Sequence, residues 1–270
     1  AAIQGVYVPA FYQVKYNCDG TIAEMKPRIP GIPNRVKKAV IPDLDHAYFP
    51  VDPIVPYLGI IHDRAALEVM RGCQRGCRFC QAGIIYRPAR ERTVDRLREM
   101  ARQTIKSTGF DEISLASLSS ADYSGIQELT RGLIDEHGPQ GTGVALPSLR
   151  ADAFSVGLAQ EVQRVRKTTL TFAPEAGTQR LRDVINKNVT EDDILTACKA
   201  AFDAGWLGIK LYFMLGLPTE TDEDLDGIID LVRKIKCLAA ERSRRVPKIH
   251  VGLAFFVPKP HTPFQWEPQI

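Results

Sequence analysis

Residues 208–240, GIKLYFMLGLPTETDEDLDGIIDLVRKIKCLAA, contain the patterns of a β-strand, a turn and an α-helix in that order. The first part, GIKLYFMLG, is an apolar run with the length of one buried strand. A turn with glycine and proline follows, and apolar residues then recur at helical spacing. The stretch therefore predicts a β-α unit of the kind that builds a parallel sheet covered by helices.

The same alternation recurs through the rest of the chain. Strand-like runs lie at residues 65–72, 112–119, 143–150, 169–176, 208–216 and 248–257, and helical patterns follow at 93–107, 123–136, 155–165, 190–204 and 221–240. Thr190 and Asp193 have the spacing of a capping box at the start of one of these helices. Alternation of this kind predicts right-handed crossovers and parallel strands.

Six such units are too few for a closed eight-stranded barrel, yet their regular spacing is more typical of a barrel than of a doubly wound sheet. The expected fold class is α/β, with a partial (βα)6 TIM-like barrel at residues 65–270. Residues 1–64 are Pro-rich and extended, with two predicted strands around an Asp19-Gly20 hairpin turn. The chain ends shortly after the sixth strand-like run, so we expect a core that is cut short there.

Composition excludes several classes of protein. The chain has 270 residues, of which 44% are hydrophobic and 25% charged, as in ordinary globular proteins. The formal net charge of +3 argues against binding of a bulk polyanion. No apolar run approaches the roughly 18 residues that span a bilayer, so we expect a cytoplasmic protein with no membrane partner.

The sequence RGCQRGCRFCQAG at residues 71–83 contains three of the six cysteines, Cys73, Cys77 and Cys80. A cytoplasmic protein keeps its thiols reduced, which argues against a disulfide framework. Thiolates at C-x3-C-x2-C spacing, on a loop with three glycines, favour a metal centre. An iron-sulfur cluster is the first interpretation, and a zinc site or a packing coincidence are the alternatives. Zinc normally needs four ligands, and the candidates for a further one, His62 and His261, are isolated in the sequence.

The unusual sequences all follow predicted strands. They are the cysteine motif, SLSSADY, SLRAD, PEAGTQR, GLPTET and VPKPHTPFQW. In parallel α/β folds the carboxyl ends of the strands meet at one edge, where the chemistry lies. The remaining cysteines, Cys18, Cys198 and Cys237, are instead expected in a turn and on helices. One site at the carboxyl edge is therefore expected.

CQRGCRFC, with the aromatic Phe79 before its last cysteine, resembles the C-x3-C-x-aromatic-C signature of the radical S-adenosylmethionine superfamily. The resemblance implies a 4Fe-4S cluster on Cys73, Cys77 and Cys80, with one open iron that binds S-adenosylmethionine. It also implies that one electron cleaves this cofactor to a 5′-deoxyadenosyl radical, which takes hydrogen from a substrate. A reductant of the flavodoxin or ferredoxin type would then be a partner.

The same resemblance implies contacts to S-adenosylmethionine. Glu175 would contact the ribose, and Arg180 the methionine carboxylate. Ser119 stands in place of the family's GGE-like turn, and Gly216 lies in a G-x-P-x-E-T-like turn. Val257 lies in the segment over adenine, and Phe79 is a further implied contact. The alternative for Ser119 is a serine that ends a strand. For Glu175 and Arg180 the alternative is pairing with neighbouring charges.

Over nearly the whole chain, the sequence resembles a group of radical S-adenosylmethionine proteins described as cobalamin-binding. The segments that carry this resemblance are GVYVPAFY, HDRAALEVMRGCQRGCRFCQAGIIYRPARER and PSLRADAF. The chain has no D-x-H-x-x-G loop and no room for a Rossmann domain, which leaves cobalamin dependence open. A methylthiotransferase is disfavoured, because the extra cluster of that group needs three more cysteines and only Cys18 precedes the motif.

The substrate is not defined by this pattern, and no catalytic residue toward it is predicted. Arg87 and Arg90, in YRPARER, are candidates for contact with an anionic substrate or RNA, or for loop capping. The arginines at 92–102 alternate with acidic residues and are expected to form ion pairs on a solvated helix face. The competing functional hypothesis is a non-catalytic iron-sulfur or zinc-binding protein that uses the barrel as a binding platform.

Overall fold

The computed structural model describes residues 3–146, 150–153, 170–242 and 247–269. Two compact units are present, Ala1–Pro42 and Asp43–Ile270, so residues 43–64 belong to the same unit as the predicted barrel. The helix predicted at 155–165 and residues 147–149 of the third strand-like run lie outside the described residues.

The first unit contains an antiparallel hairpin of β1 (Tyr12–Tyr16) and β2 (Ile22–Pro27). Its turn is stabilised by Asp19 Oδ1, which accepts a hydrogen bond from the backbone N–H of Thr21 at 2.9 Å. Gly20 has a φ of 83°, a left-handed conformation that glycine adopts without steric cost. The predicted Asp19-Gly20 hairpin is confirmed.

The second unit contains two three-stranded parallel sheets and one short antiparallel pair. The strands are β3 (Ala65–Glu68), β4 (Met70–Arg71), β5 (Arg90–Glu91), β6 (Glu112–Ala116), β7 (Gly143–Ala145), β8 (Leu170–Glu175), β9 (Gly208–Leu215) and β10 (Lys248–Phe255). The parallel sheets have the orders β3-β6-β7 and β10-β9-β8, and β4 pairs with β5. The six parallel strands thus follow one another in chain order, as the predicted partial barrel requires.

Helices follow these strands. They are α1 (Ala82–Ile85), α2 (Val94–Thr108), α3 (Ile126–His137), α4 (Gln179–Val184), α5 (Glu191–Asp203) and α6 (Asp222–Arg242). The longer helices α2, α3, α5 and α6 confirm the predicted alternation, whereas the short α1 and α4 were not predicted. No helix in the described ranges has both the length and the apolar character needed to cross a membrane.

Alternate strand residues form the core between the sheets and the helices. The buried strand residues include Leu67, Ile113, Leu115, Phe172, Ile209, Leu211 and Phe213, and they pack with helix residues such as Leu97, Leu129, Ile194 and Leu231. Full burial of each such side chain contributes about 1.5–3 kcal/mol. Because side chains alternate along a strand, the intervening residues lie on the opposite, inner face of the partial barrel.

The capping box predicted for α5 is confirmed. The backbone N–H of Asp193 donates to Thr190 Oγ1 at 3.1 Å, and the backbone N–H of Thr190 donates to Asp193 Oδ2 at 2.8 Å. These two bonds satisfy donors that the first turn of a helix otherwise leaves without partners.

Replacement of Thr190 by alanine should lower the free energy of unfolding by about 1 kcal/mol, because one capping acceptor is lost. Urea denaturation followed by circular dichroism measures this change. Thr196→Ala, on the exposed face of the same helix, is the matched control and should not lower stability. Equal unfolding midpoints for the wild type and Thr190→Ala would show that the box is energetically silent.

Candidate metal centre and cofactor pocket

The three cysteines of the motif lie on one loop, residues 72–89, which we call the cysteine loop. The antiparallel pair of β4 and β5 closes its base. Gly72 has a φ of 95°, and a Cβ there would lie 2.6 Å from the carbonyl oxygen of Tyr86. Only glycine fits this position, so the sequence of the motif sets the close approach of the two ends of the loop.

The thiols of the cysteine loop share one electrostatic environment. Cys73, Cys77 and Cys80 are half-buried, whereas Cys198 is buried in the core. Burial raises the pKa of the Cys77 thiol, the cations of Lys187 and Arg150 act against this rise, and the other two thiols reinforce it. Negative charge on Cys73 and Cys80 therefore opposes ionisation of Cys77, and the two cations favour it.

Two cations with low exposure lie beside the cysteine loop. Lys187 Nζ donates to Glu175 Oε1 at 3.0 Å, and its side chain is 9% exposed. Arg150 donates to the carbonyl oxygen of Lys187 at 2.8 Å and to Asp152 Oδ1 at 2.9 Å. A centre held by thiolates brings negative charge into this region, and these cations are placed to balance it.

Hydrogen bonds tie the cysteine loop to the segment after α4. The backbone N–H of Arg78 donates to the carbonyl oxygen of Ile185 at 2.9 Å. Asn186 Nδ2 donates to the carbonyl oxygen of Gly76 at 2.8 Å, and a Cβ on Gly76 would lie 2.9 Å from that nitrogen. These contacts therefore hold the cysteine loop against the segment that follows β8 and α4.

Arg75 ties the same loop to the segments after β6 and β7. Its Nε donates to Asp122 Oδ2 at 2.9 Å, and its Nη1 lies 3.2 Å from Asp152 Oδ2. Burial acts to raise the pKa of Asp122, but hydrogen bonds and the Arg75 charge outweigh it and hold that pKa below its usual value. The guanidinium thus stays paired with an ionised Asp122 at neutral pH.

An apolar cluster covers one side of the cysteine loop. It contains Ala176, Leu181, Ile185, Leu217, Phe256 and Phe264, with Phe79 and Met214 packed against it. The rings of Phe256 and Phe264 meet edge to face, with centroids 6.0 Å apart. Phe79, from the cysteine motif, therefore lies with residues that follow β8, β9 and β10.

The residues predicted to contact S-adenosylmethionine occupy several strand ends. Glu175 ends β8 with a φ of 69° and pairs with Lys187. Gly216 follows β9, and its N–H donates to Glu220 Oε2 at 2.7 Å. Val257 follows β10, directly after Phe256, whose N–H donates to the carbonyl oxygen of Leu215 at 2.8 Å.

Arg180 and Ser119 have different surroundings. Arg180 lies on α4 and donates to the carbonyl oxygen of Thr219 at 2.8 Å and to the carboxylate of Asp224. Both Glu175 and Arg180 are therefore paired with neighbouring charges, as in the alternative interpretation. Ser119 lies after β6, is 3% exposed and contributes a hydrogen bond that helps to lower the pKa of Asp122.

The arginines of the YRPARER segment hold the cysteine loop itself. Arg87 Nη2 donates to the carbonyl oxygen of Arg75 at 3.1 Å, and Arg90 Nε donates to that of Pro88 at 2.9 Å. Arg98 and Arg102 pair with Glu136, as expected for a helix face. The expectation is wrong for Arg92, which is 2% exposed and donates to the carbonyl oxygen of Glu68 at 3.1 Å.

Several residues of this site were not identified from the sequence. They are Arg75 in its pairing with Asp122 and Asp152, and Arg150, Asn186 and Lys187 near the cysteine loop. One available signal was the segment INKN, because Asn186 and Asn188 both have positive φ and asparagine is enriched in that conformation.

Among the described residues, no group of three or more His, Cys, Asp or Glu side chains is placed to hold one ion. Sulfur ligands around one tetrahedral zinc lie about 3.8 Å apart, since each bond is about 2.3 Å long. A cluster of several irons spreads its cysteine ligands more widely, and three half-buried thiols beside two cations fit such a centre.

Known proteins are similar to this chain over most of its length. The Radical SAM superfamily model matches residues 67–232. The protein MJ0966 of Methanocaldococcus jannaschii is 41% identical over 202 residues, which cover 74% of this chain and 42% of the relative. The ribosomal protein uS12 methylthiotransferase RimO of Pelotomaculum thermopropionicum is 22% identical over 204 residues, covering 72% of this chain and 44% of the relative.

The fold is shared with a radical S-adenosylmethionine methyltransferase, TsrM from Kitasatospora setae, with a TM-score of 0.62 at 13% sequence identity. The match covers 89% of this chain and 42% of TsrM, whose structure holds tryptophan and an analogue of S-adenosylmethionine. This chain thus spans less than half the length of these relatives. With the cysteine motif, the partial barrel and the family match together, the chain belongs to the radical S-adenosylmethionine superfamily.

Proposed function

We propose that this chain forms the core of an enzyme that cleaves S-adenosylmethionine at a 4Fe-4S cluster held by Cys73, Cys77 and Cys80. The observation that carries the proposal is the placement of three half-buried thiols on one loop, tied across the carboxyl edge of a parallel barrel, beside Lys187 and Arg150. When bound, the cluster and S-adenosylmethionine supply one-electron chemistry that yields a 5′-deoxyadenosyl radical able to take hydrogen from a substrate.

The protein's own contribution is to exclude water and to balance charge. The cluster of Phe79, Leu217, Phe256 and Phe264 covers the side of the cysteine loop that faces the ends of β9 and β10. A dry, low-dielectric wall strengthens the interaction of charged ligands with fixed dipoles and cations. Lys187 is bound on one side by Glu175 and is positioned toward the thiols on the other.

Contacts to S-adenosylmethionine are assigned by position. The carboxylate of Glu175 would accept hydrogen bonds from the ribose hydroxyls, and the backbone near Gly216 and Val257 would lie along the nucleoside. The buried Ser119 hydroxyl would bind a polar group of the methionine portion in exchange for its contact with Asp122. Arg180 would reach the methionine carboxylate only after exchanging its bond to Asp224.

The substrate and the partners remain part of the proposal. The reaction requires a one-electron reductant, for which a flavodoxin or ferredoxin type protein is suitable. RimO modifies a ribosomal protein, and solved structures of TsrM and OxsB hold cobalamin. The proposed chemistry of this chain requires the cluster and S-adenosylmethionine, and no residue described here is assigned to cobalamin.

Replacement of Cys77 by alanine should abolish cluster binding, because two thiolates cannot retain the cluster against solvent and oxygen. Iron and sulfide are measured after anaerobic reconstitution, together with the visible absorption of the protein. Cys198→Ala, in the core between α5 and the sheets, is the control and should keep the wild-type iron content. Full iron and sulfide in Cys77→Ala would contradict the ligand assignment.

Replacement of Glu175 by glutamine should weaken binding of S-adenosylmethionine by about 1.5–3 kcal/mol, because a charge-assisted hydrogen bond is lost. Calorimetry on the oxidised, reconstituted protein measures the affinity, and iron content is checked in parallel because Lys187 loses its partner. Glu241→Gln, at the far end of α6, is the matched control. An unchanged affinity would leave Glu175 with only its ion pair to Lys187.

The reduced wild-type protein should form 5′-deoxyadenosine and methionine slowly in the absence of its substrate. The rate should be low because substrate contacts that favour cleavage and exclude water are missing. Chromatography of a dithionite-reduced sample measures the product, with Cys80→Ala as the control. If a full-length form also gives no product above the control, the binding-platform hypothesis replaces the enzyme hypothesis.

A further inference from the structure

The inner face of the sheet formed by β8, β9 and β10 carries polar side chains. Ile209, Leu211 and Phe213 point toward the helices, where all three are buried. Lys210, Tyr212 and Met214 therefore line the inner face of β9. By the same alternation, Thr171 lies opposite the buried Phe172 of β8. His250 likewise follows Ile249, which packs on the core.

Three of these side chains form one row across the sheet. In the parallel register, Lys210 is the direct partner of Thr171 on β8 and of His250 on β10. Neighbouring strands lie about 4.8 Å apart, so the three side chains start within about 10 Å of one another. A hydroxyl, an ammonium and an imidazole N–H, all hydrogen-bond donors, thus stand side by side.

This row differs from the other charged groups of the inner face. Glu175 is paired with Lys187, and Glu68 with Arg71. In the described ranges, the side chains of Thr171, Lys210 and His250 have no hydrogen-bond or ion-pair partner, and the contact of Lys210 is with an aromatic ring. Lys210 and Thr171 are only partly exposed, whereas His250 is exposed at the edge of the row. Partly desolvated donors without acceptors favour binding of an anion.

Tyr212 provides a flat surface next to the row. Lys210 Nζ lies 4.7 Å from the centroid of the Tyr212 ring, so the ammonium extends toward the carboxyl edge. A Cβ on Gly252 would lie 2.8 Å from the ring, which shows that the ring lies against a strand position free of any side chain. The Tyr212 side chain is still 38% exposed, which leaves ring surface available to a ligand.

The row is connected to the cysteine loop along β9. Met214 lies two residues beyond Tyr212 on the same face and packs in the apolar cluster that includes Phe79. At about 3.3 Å per residue, Lys210 and Met214 are about 13 Å apart along the strand. A molecule of that length, bound by its anionic end at the row, would have its other end next to the cysteine loop.

We propose that the row of Thr171, Lys210 and His250 binds a carboxylate or phosphate group of a small organic substrate, whose planar apolar part lies against Tyr212. The proposal rests on the proposed function, since it assigns the substrate class of that same site. It favours a small molecule over RNA, because the row lies several residues below the carboxyl edge, inside the partial barrel.

Ligand-observed NMR on the reconstituted, oxidised protein can test this proposal without turnover. The probes are 3-phenylpropionate, phenyl phosphate and the neutral 3-phenylpropanamide, all of which carry a ring for Tyr212. We expect one or both anions to bind about tenfold more tightly than the amide, with a preference that falls at high salt. Preference for one anion identifies its group as carboxylate or phosphate.

Lys210→Met keeps the length of the side chain and should remove the roughly tenfold preference for anions over the amide. Lys199→Met on α5 should retain this preference. Thr171→Val provides a second variant of similar shape and should weaken anion binding by about threefold. Iron content and circular dichroism show whether each variant is folded. If Lys210→Met does not fold, the result for Thr171→Val decides the test.

Equal affinity for amide and anions, or an anion preference that survives both variants, would overturn the proposal. Such a result would redirect the search to RNA or protein substrates at the rim. Because no cleavage of S-adenosylmethionine is needed, an intact anion preference with no 5′-deoxyadenosine would overturn the proposed function alone. Normal cleavage without an anion preference would overturn only the substrate class.

Discussion

The candidate site depends on the bonds that hold the cysteine loop against the segments that follow several strands. Apolar packing fixes part of this loop, since Phe79 packs in the apolar cluster and Ala89 on the main core. The rest of its position comes from bonds to distant segments. Asn186 binds the backbone at Gly76, and Arg75 binds Asp122 and Asp152. Each bond joins the cysteine loop to the segment after a different strand, so the parallel arrangement of the strands is a condition for the site.

Arg75 is the most demanding of these contacts. Its side chain is 31% exposed, while that of Asp122 is 10% exposed. Loss of the guanidinium would leave the poorly solvated Asp122 carboxylate without its main partner, whereas Asp152 would keep Arg150. Separating this ion pair would cost more free energy than the formed pair adds to stability. The pair therefore holds the loop in place mainly because breaking it is costly.

Most of the fold could be predicted from the sequence because its signals are local. The strand at 208–216, the helix at 190–204 with its Thr190 capping box, and the Asp19-Gly20 turn each depend on neighbouring residues only. The short α4 was missed, although Thr178 caps its first turn by accepting from the N–H of Leu181 at 3.2 Å. Its six residues are too few to show a clear apolar period.

The site was only partly predictable, for a physical reason. The cysteine spacing is local, but the partners of the cysteine loop are separated from it by long stretches of chain, as Gly76 and Asn186 are by 110 residues. Arg87 and Arg90 illustrate the consequence. A sequence cannot distinguish a guanidinium that waits for a ligand from one that binds carbonyl groups of its own loop, and both of these bind such carbonyls.

The contact between the segment after β8 and helix α6 limits how the cofactor side of the site can change. A Cβ on Gly177 would lie 2.3 Å from the backbone nitrogen of Ile228, so the two backbones touch. Directly beside this contact, the buried carboxylate of Asp224 accepts from Thr178 and from Arg180.

The ion pair with Asp224 therefore sets the direction of the Arg180 side chain. Asp224 is in turn held in place by the close contact between the backbone at Gly177 and helix α6. Arg180 is 49% exposed at its side chain and can be resolvated, whereas Asp224 is 2% exposed and cannot. If Arg180 turned toward a ligand carboxylate, Asp224 would keep only its neutral donors, among them Thr178 and Thr221. In the proposed cofactor contact, only a ligand with its own carboxylate would offset part of the loss of this ion pair.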